Sequence, residues 1–460
     1  MARLSNESRD PGHESRTGLC EGYLMDVPFW NKEIETADRS RLEAIQLERL
    51  RETIGWALKT PFYQKQLRQA KISSPEDIRS LADLRKIPFT TKDDLRLNFP
   101  RGLLAVDMKD VVRIHSSSGT TGIPTVIYYS KEDVNNWADL MARCIFATGA
   151  CSADVFQNMM TYGMFTGGLG MHYGAEKVGM AVIPIGGGNT KRQIKTMKDF
   201  RTTVVHVTPS YLLHVHTKLE EAEVKREELS LKKAFTGAEP HSEDIRKKIE
   251  RTWNIDAYNS YGLSELNGPG VAFECVYKND MHLWEDGYIV EIIDPDTGEP
   301  VRDGDSGEVV LTNLIRRATP MLRYRTRDLA YLHTDPCPCG RTHRRLSRIM
   351  GRTDDMLIIN GINLFPSQIE EVVMRIPEVA TNYIIQVEKR GDLDHLTVKV
   401  EIYPKLFLGD PSQLEALKAR ITEELRSAII LHPSVELHEP NSLPVSEGKA
   451  KRVIDLRPKE

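Results

Sequence analysis

The 460-residue chain has little of what marks several protein classes. Six cysteines are too few for a disulfide scaffold in a chain of this length, and they predict a reducing, cytoplasmic setting. No apolar run approaches the roughly 20 residues a membrane helix needs, so no membrane is expected. The first residues, Met1 to Gly12, are polar and charged with no apolar h-region. Neither sign of charge dominates: 62 Lys and Arg stand against 66 Asp and Glu, a net charge of -4 that gives no reason to expect nucleic acid. Short basic clusters such as Arg344-Arg345 read as a solvated face. No fixed-period repeat is present. One further absence is local. The run His115-Ser116-Ser117-Ser118-Gly119-Thr120-Thr121-Gly122-Ile123-Pro124-Thr125 has the glycines and hydroxyls of a phosphate grip, yet no lysine follows its second glycine.

That run lies between two strand-like stretches, Val111-Val112-Arg113-Ile114 and Val126-Ile127-Tyr128-Tyr129. Bare backbone N–H groups and hydroxyls in a Gly-rich turn suit phosphate oxygens. The common phosphate loop ends in Gly-Lys-Ser/Thr and opens a helix, so a nucleotide here is held in another way; the plain alternative is a Ser/Thr/Gly hairpin turn.

Residues 1–20 read as a polar tail. Leu47, Leu50, Ile54 and Leu58 then fall at helical spacing. From 105 to 330 short apolar strands alternate with helical stretches, as in Val182–Ile185, Thr190–Phe200 and Val204–Val207, which predicts an α/β body. Tyr288–Ile293 and Gly307–Leu311 belong to a more β-rich section, with Asp294–Gly298 a turn between them. Beyond Gly351 the texture changes. Ser367 and Glu370 suggest a capping box, Tyr383–Val387 and the alternating Leu396–Ile402 suggest strands, and Leu414 to Ile429 an amphipathic helix. The expected architecture is an α/β N-terminal body of several subdomains, residues 21–354, and a small mobile α+β domain, residues 355–460.

Four more stretches carry groups able to do chemistry: Thr236-Gly237-Ala238-Glu239-Pro240, Tyr261-Gly262-Leu263-Ser264-Glu265, Arg323-Tyr324-Arg325-Thr326-Arg327-Asp328, and Gly351-Arg352-Thr353-Asp354-Asp355 with Gly448-Lys449. Singly, each is matched by a bland reading: a solvated glutamate, a surface ion-pair cluster, a charged tail. Together and in this order they resemble the adenylate-forming superfamily of acyl-CoA ligases, adenylation domains and luciferases, most closely its phenylacetate–CoA ligase branch. Pro88–Leu95, Phe165–Gly170, Tyr261–Gly270, Arg323–Leu329 and Asp354–Glu371 carry the branch likeness, which spans Trp30 to Arg457.

The resemblance implies adenylation of a carboxylic acid by ATP, then transfer to CoA. Ser116, Ser117, Ser118, Gly119, Thr120 and Thr121 would hold the β- and γ-phosphates, and Glu265 would bind Mg²⁺ through hard oxygen ligands. Gly237, Ala238, Glu239 and Pro240 would lie along adenine, near Tyr261, Gly262 and Ser264. Asp328 would accept the ribose hydroxyls, for which an ionised carboxylate is suited, and Arg352 would reach the ribose or phosphate side. Lys449 would bridge the two reacting anions, with Lys451 as the rival. Asp355 matches the hinge position. Tyr162, Phe165, Gly167, Asn267, Gly268 and Pro269 match the acyl region. A homodimer is compatible with the family. An adenylating enzyme serving an amine, a carrier protein or a deazaflavin is one alternative; a non-catalytic ligand-binding scaffold is another.

Cys337-Pro338-Cys339 with the upstream Cys275 and His282 makes a Cys₃His set, a usual closed structural zinc site; some members of the branch carry it. His343 is a spare ligand. Unbound cysteines and a surface histidine are the alternative. The sequence also departs from the branch at Met159-Met160-Thr161, His214, His241 and Asn267. A polar residue in an apolar pocket is costly unless partnered. Asn267 therefore suggests a hydroxy- or aminobenzoate in place of phenylacetate, unless it faces backbone or water.

Overall fold

The computed structural model describes residues 28–457 except 118–123, 361, 392, 404–410, 430, 441 and 445–451. Its largest element is a nine-stranded sheet. Five strands are parallel, in the order Ala181–Ile183, Val155–Asn158, Val204–Val207, Lys233–Gly237 and Asp256–Leu263. The sheet then turns antiparallel through Gly268–Glu274, Met281–Leu283, Arg345–Leu346 and Leu332–His333. The parallel part reads as near-continuous apolar runs because helices cover it. Among them, Thr190–Asp199, Pro209–Thr217 and Glu243–Trp253 follow their strands in the expected α/β alternation.

A second sheet is β-rich and antiparallel, with Tyr288–Ile293, Gly307–Asn313, Met321–Ala330 and Gly351–Arg352 in that order. The Asp294 carboxylate accepts from the N–H groups of Asp296 (3.0 Å) and Thr297 (2.8 Å), which makes the turn between its first two strands. Val111–Ser116 and Val126–Ser130 pair antiparallel on either side of the glycine-rich run. The helix Lys131–Ala147 opens on Ser130 and Asp133, each side chain accepting from the other's backbone N–H at 3.1 and 2.8 Å.

The last hundred residues form a separate four-stranded sheet, Ser434–His438, Leu393–Ile402, Val379–Arg390 and Val453–Asp455, backed by the helices Pro366–Arg375 and Pro411–Ile429. The expected Ser367–Glu370 capping box does not form. Pro366 starts the helix and Phe365 precedes it, so Ser367 is already inside. The Gln368 side-chain oxygen Oε1 takes the Phe365 N–H at 2.9 Å, while Glu370 accepts from the Tyr383 hydroxyl at 2.5 Å. This helix packs on Glu243–Trp253 of the body, where Arg375 meets Asp244 at 2.9 Å and Lys248 Nζ donates to the Val379 carbonyl at 2.9 Å. Among the described residues no helix is long and apolar enough to cross a membrane.

Candidate active site

Two groups of predicted residues meet where the two large sheets abut. The first is built by register. Asp328 and Arg352 are direct cross-strand partners, so Arg352 Nη1 reaches Asp328 Oδ1 at 3.0 Å. The hydroxyl of Tyr261, from the last parallel strand, donates to Asp328 Oδ2 at 2.7 Å. Burial, and then the Asp328 charge, push the Tyr261 phenol well above its usual pKa, so it stays a donor. Arg352 also holds Asp354 at 2.8 and 2.9 Å and lies 3.6 Å from Asp355. Burial works against the Arg352 charge, but Asp354, Asp328 and Asp355 together raise its pKa.

The second group surrounds Glu265. Ser117 Oγ and Thr125 Oγ1 are 2.6 Å apart, Thr125 N–H donates to Ser117 Oγ at 3.3 Å, and Thr125 Oγ1 donates to Glu265 Oε1 at 3.3 Å. Ser116 N–H donates to the Met164 carbonyl at 2.9 Å. Lys92 Nζ stands 4.0 Å from Glu265 Oε1. Tyr324 joins the two groups: burial, then the charges of Glu265 and Asp328, hold its phenol protonated. A buried carboxylate beside a threonine hydroxyl is a hard-oxygen set suited to Mg²⁺. Ser118 to Thr121, Lys449 and Lys451 lie outside the described residues.

Gly237 ends its strand, Ala238 adopts φ +67°, and Glu239 Oε1 accepts from the Ser210 N–H at 2.7 Å. The Glu239 carboxylate thus caps the helix Pro209–Thr217, and the segment's backbone is what it leaves to a ligand. Gly262 runs so close to the next strand that a Cβ there would lie 1.7 Å from the Gly268 carbonyl oxygen. Ser264 Oγ is 3.1 Å from Thr166 Oγ1, tying this turn to the start of the helix Gly167–Val178. At the same end, the Tyr162 hydroxyl accepts from Asn158 Nδ2 at 2.9 Å, and the Phe165 ring fills the space a Gly167 Cβ would need. Gly268 has φ +78°, and its Cβ would sit 2.5 Å from Thr166 Oγ1. Pro269 accepts from the Trp137 indole N–H at 3.2 Å.

Asn267 departs from its expected role. It is 2% exposed, and both ends of its amide are engaged: Arg316 Nη1 donates to Oδ1 at 3.2 Å and Nδ2 donates to the Tyr288 hydroxyl at 3.3 Å. Its φ of +80° lies in the left-handed region that asparagine tolerates better than most residues. Backbone conformation and Arg316 account for this asparagine, so it gives no argument for a ring hydroxyl or amino group. His214 stacks on Tyr211, with ring centroids 6.1 Å apart, and His241 sits between Thr236 and Arg348 at 3.4 and 3.3 Å. Sequence reasoning missed Lys92, Thr125, Tyr324 and Arg316. Lys92, Thr125 and Tyr324 fall inside motifs singled out above, but the direction of a side chain is not written in a motif.

Cys275, His282, Cys337 and Cys339 gather elsewhere, all buried, with their ligand atoms within 4.8 Å of one another. The pairing of His282 with both Phe273 and Arg345 brings the two halves of the set together. Cys275 Sγ and Cys337 Sγ are 3.8 Å apart, too far for a disulfide. Zn–S bonds of about 2.3 Å at tetrahedral angles give an S···S edge of about 3.8 Å. His282 Nε2 lies 3.2 Å from Cys339 Sγ. His343 is engaged instead by the Glu285 N–H at 2.9 Å.

Comparison with known proteins agrees with this geometry. Residues 43–324 match the model of the AMP-binding enzyme family, and residues 361–457 that of the AMP-binding enzyme C-terminal domain. The phenylacetate–coenzyme A ligase of Aromatoleum evansii is 47% identical over 93% of this chain and 97% of its own. That of Thermus thermophilus is 44% identical over 93% of this chain and all of its own. A 2-hydroxyisobutyryl-CoA ligase crystallised in the postadenylation state with R3-HIB-AMP superposes with a TM-score of 0.88 at 25% identity, covering 98% of this chain and 95% of that one. The same ligase with 2-HIB-AMP and CoA in the thioesterification state gives 0.69 at 27% identity, covering 93% and 92%. The chain belongs to the AMP-binding enzyme family and, within it, to the phenylacetate–CoA ligase branch.

Proposed function

We propose that this protein is an ATP-dependent, AMP-forming aryl-acid–CoA ligase acting on a phenylacetate-like acid. The observation that carries the reading is the meeting of Tyr261, Asp328 and Arg352 beside Ser117, Thr125 and Glu265, in a chain so similar to phenylacetate–CoA ligases. Phosphoryl-type transfer is mostly positioning and charge neutralisation. Asp328 takes the ribose hydroxyls, its two oxygens oriented by Tyr261 and Arg352. The Ser116–Thr121 run grips the β- and γ-phosphates. Glu265 and Thr125 would hold Mg²⁺, which neutralises phosphate charge when bound. Lys449 bridges the acid's carboxylate and the α-phosphate. The acid lies against Tyr162, Phe165, Gly167, Gly268 and Pro269. The similarity to phenylacetate–CoA ligases, rather than Asn267, supports a phenylacetate-like acid.

The domain boundary falls at Asp354-Asp355, with Asp355 as hinge. The higher superposition score with the postadenylation form supports an orientation like the one that neighbour adopts in that state. Cys275, His282, Cys337 and Cys339 would hold a structural Zn²⁺, which would staple the β-rich section. The test is a panel of aryl acids in a pyrophosphate-release assay, with AMP release followed with and without CoA. Phenylacetate leading the panel with CoA-dependent turnover is expected. Adenylate formation indifferent to CoA would favour the non-CoA acceptor, and equal pyrophosphate release by wild type and Lys449→Ala would favour the scaffold.

A further inference from the structure

The glycine-rich run lacks the lysine that the common phosphate loop places after its second glycine. A lysine from another part of the chain approaches Glu265, the partner of Thr125 at the end of the run. The segment before Lys92 is stitched to the strand that carries Tyr324 and Asp328: Thr90 N–H donates to the Arg323 carbonyl at 3.0 Å, and Arg325 N–H donates to the Thr90 carbonyl at 2.9 Å. The Thr90 hydroxyl is buried, donating to the Leu322 carbonyl at 2.7 Å and lying 2.9 Å from the Tyr63 hydroxyl. Thr91 then caps the helix Lys92–Leu97, with its N–H held by Asp94 at 2.8 Å. Lys92 is the first residue past this anchor, so its backbone is fixed while its side chain extends toward Glu265.

Lys92 Nζ is 4.0 Å from Glu265 Oε1, close enough for charge pairing but beyond hydrogen-bond length. Among the described residues this ammonium donates no hydrogen bond, and its side chain is 46% exposed. Arg316, another cation nearby, donates to the Glu265 backbone carbonyl rather than to its carboxylate. An anchored lysine with uncommitted donors, beside the acidic residue and hydroxyls of the phosphate side, is built for a polyanion.

We infer that Lys92 is the cation of the β- and γ-phosphates, supplying from the N-terminal body the charge that the glycine-rich run lacks. This rests on the ligase reading above and divides the positive charge in two. When an acid oxygen bonds to the α-phosphorus, the bond from that phosphorus to the β-bridging oxygen breaks. The bridging oxygen leaves with the electron pair as pyrophosphate. Lys92 stabilises the charge growing on that leaving group; Lys449 serves the α-phosphate and the carboxylate.

The test uses the full chain as wild type, Lys92→Met and Lys92→Arg, titrated calorimetrically with ATP, inorganic pyrophosphate and AMP. The methionine variant is expected to weaken ATP and pyrophosphate about tenfold or more, with AMP changed by less than about twofold and arginine restoring most of the loss. Methionine binding pyrophosphate as the wild type does would overturn the inference. So would equal weakening of AMP and pyrophosphate, which would mark a general structural effect. A wild type that binds neither ATP nor AMP would instead remove the ligase reading, and this inference with it.

Discussion

The Cys₃His cluster gives the sharpest quantitative expectation. Removing one ligand, as in Cys337→Ser, unfastens two segments of chain whose cysteines lie 62 positions apart. If bound zinc acts as a cross-link, closing a loop of that length removes about 4 kcal/mol of unfolded-state entropy. Unfolding entropy of about 2.1 cal/mol/K per residue gives about 1 kcal/mol/K for a chain of this size, so the melting temperature should fall by about 4 °C. The catalytic groups should be spared. Cys275 directly follows the strand Gly268–Glu274, which spans about 20 Å between the cluster and the acyl end of the site. Elemental analysis should find one zinc per wild-type chain and well under one in the variant. Scanning calorimetry should show the shift, and turnover below the transition should match wild type. A reduced, active preparation containing no bound metal, or a Cys337→Ser protein that melts with the wild type, would refute the reasoning.

Three further outcomes are expected. Asp328→Asn removes the charge proposed to accept two ribose hydroxyls and should weaken ATP binding by about 2–4 kcal/mol, read by calorimetry; a change of less than about threefold would place the ribose elsewhere. Asn267→Ala replaces a residue that tolerates φ +80° with one that does not, and strips the Arg316 and Tyr288 contacts. It should destabilise by about 2–4 kcal/mol in urea without changing the preference among phenylacetate and hydroxybenzoates, and a switch in preference would return Asn267 to the acid. Burial, joined at His241 by the Arg348 charge, pushes His206 and His241 down to about 3. The folded chain then binds fewer protons than the unfolded one, so this stability is full above about pH 6.5 and is lost toward pH 3, by about 1.4 kcal/mol per pH unit for each histidine. Urea midpoints at several pH values should show the slope, and His206→Gln should flatten it; an unchanged slope in the variant would assign the loss to other groups.

What the sequence made legible was whatever depends on spacing. The apolar run at Val204–Val207 appears as a parallel strand buried throughout, which a run of apolar residues encodes directly, whereas the run at Val182–Ile185 yields an edge strand, Ala181–Ile183, that stops before Pro184 and is only partly covered. The cysteine pair with its distant Cys275 and His282 was readable from ligand chemistry alone. Failures came where geometry overrides composition. Ser367 with Glu370 has the letters of a capping box, but Pro366 starts the helix one residue earlier and Tyr383 claims the glutamate. Asn267 looks like a pocket residue until its φ and its Arg316 contact are seen. Lys92 was invisible as a site residue because its approach to Glu265 depends on backbone pairing between Thr90 and Arg323, more than two hundred residues away.

The close approaches at Gly262 and Gly268 bear on how this enzyme could diversify. Neither position admits a side chain, because backbone or the Thr166 side chain already occupies the space. That wall of the proposed acyl region is closed to evolution and to engineering alike, whatever acid is under selection. New substrate choice has to be written on the side chains of the neighbouring segment, around Tyr162, Met164 and Phe165. The run Met159-Met160-Thr161 leads directly into that segment. Libraries for altered acid preference belong there, and randomising the glycines would mostly sample unfolded protein.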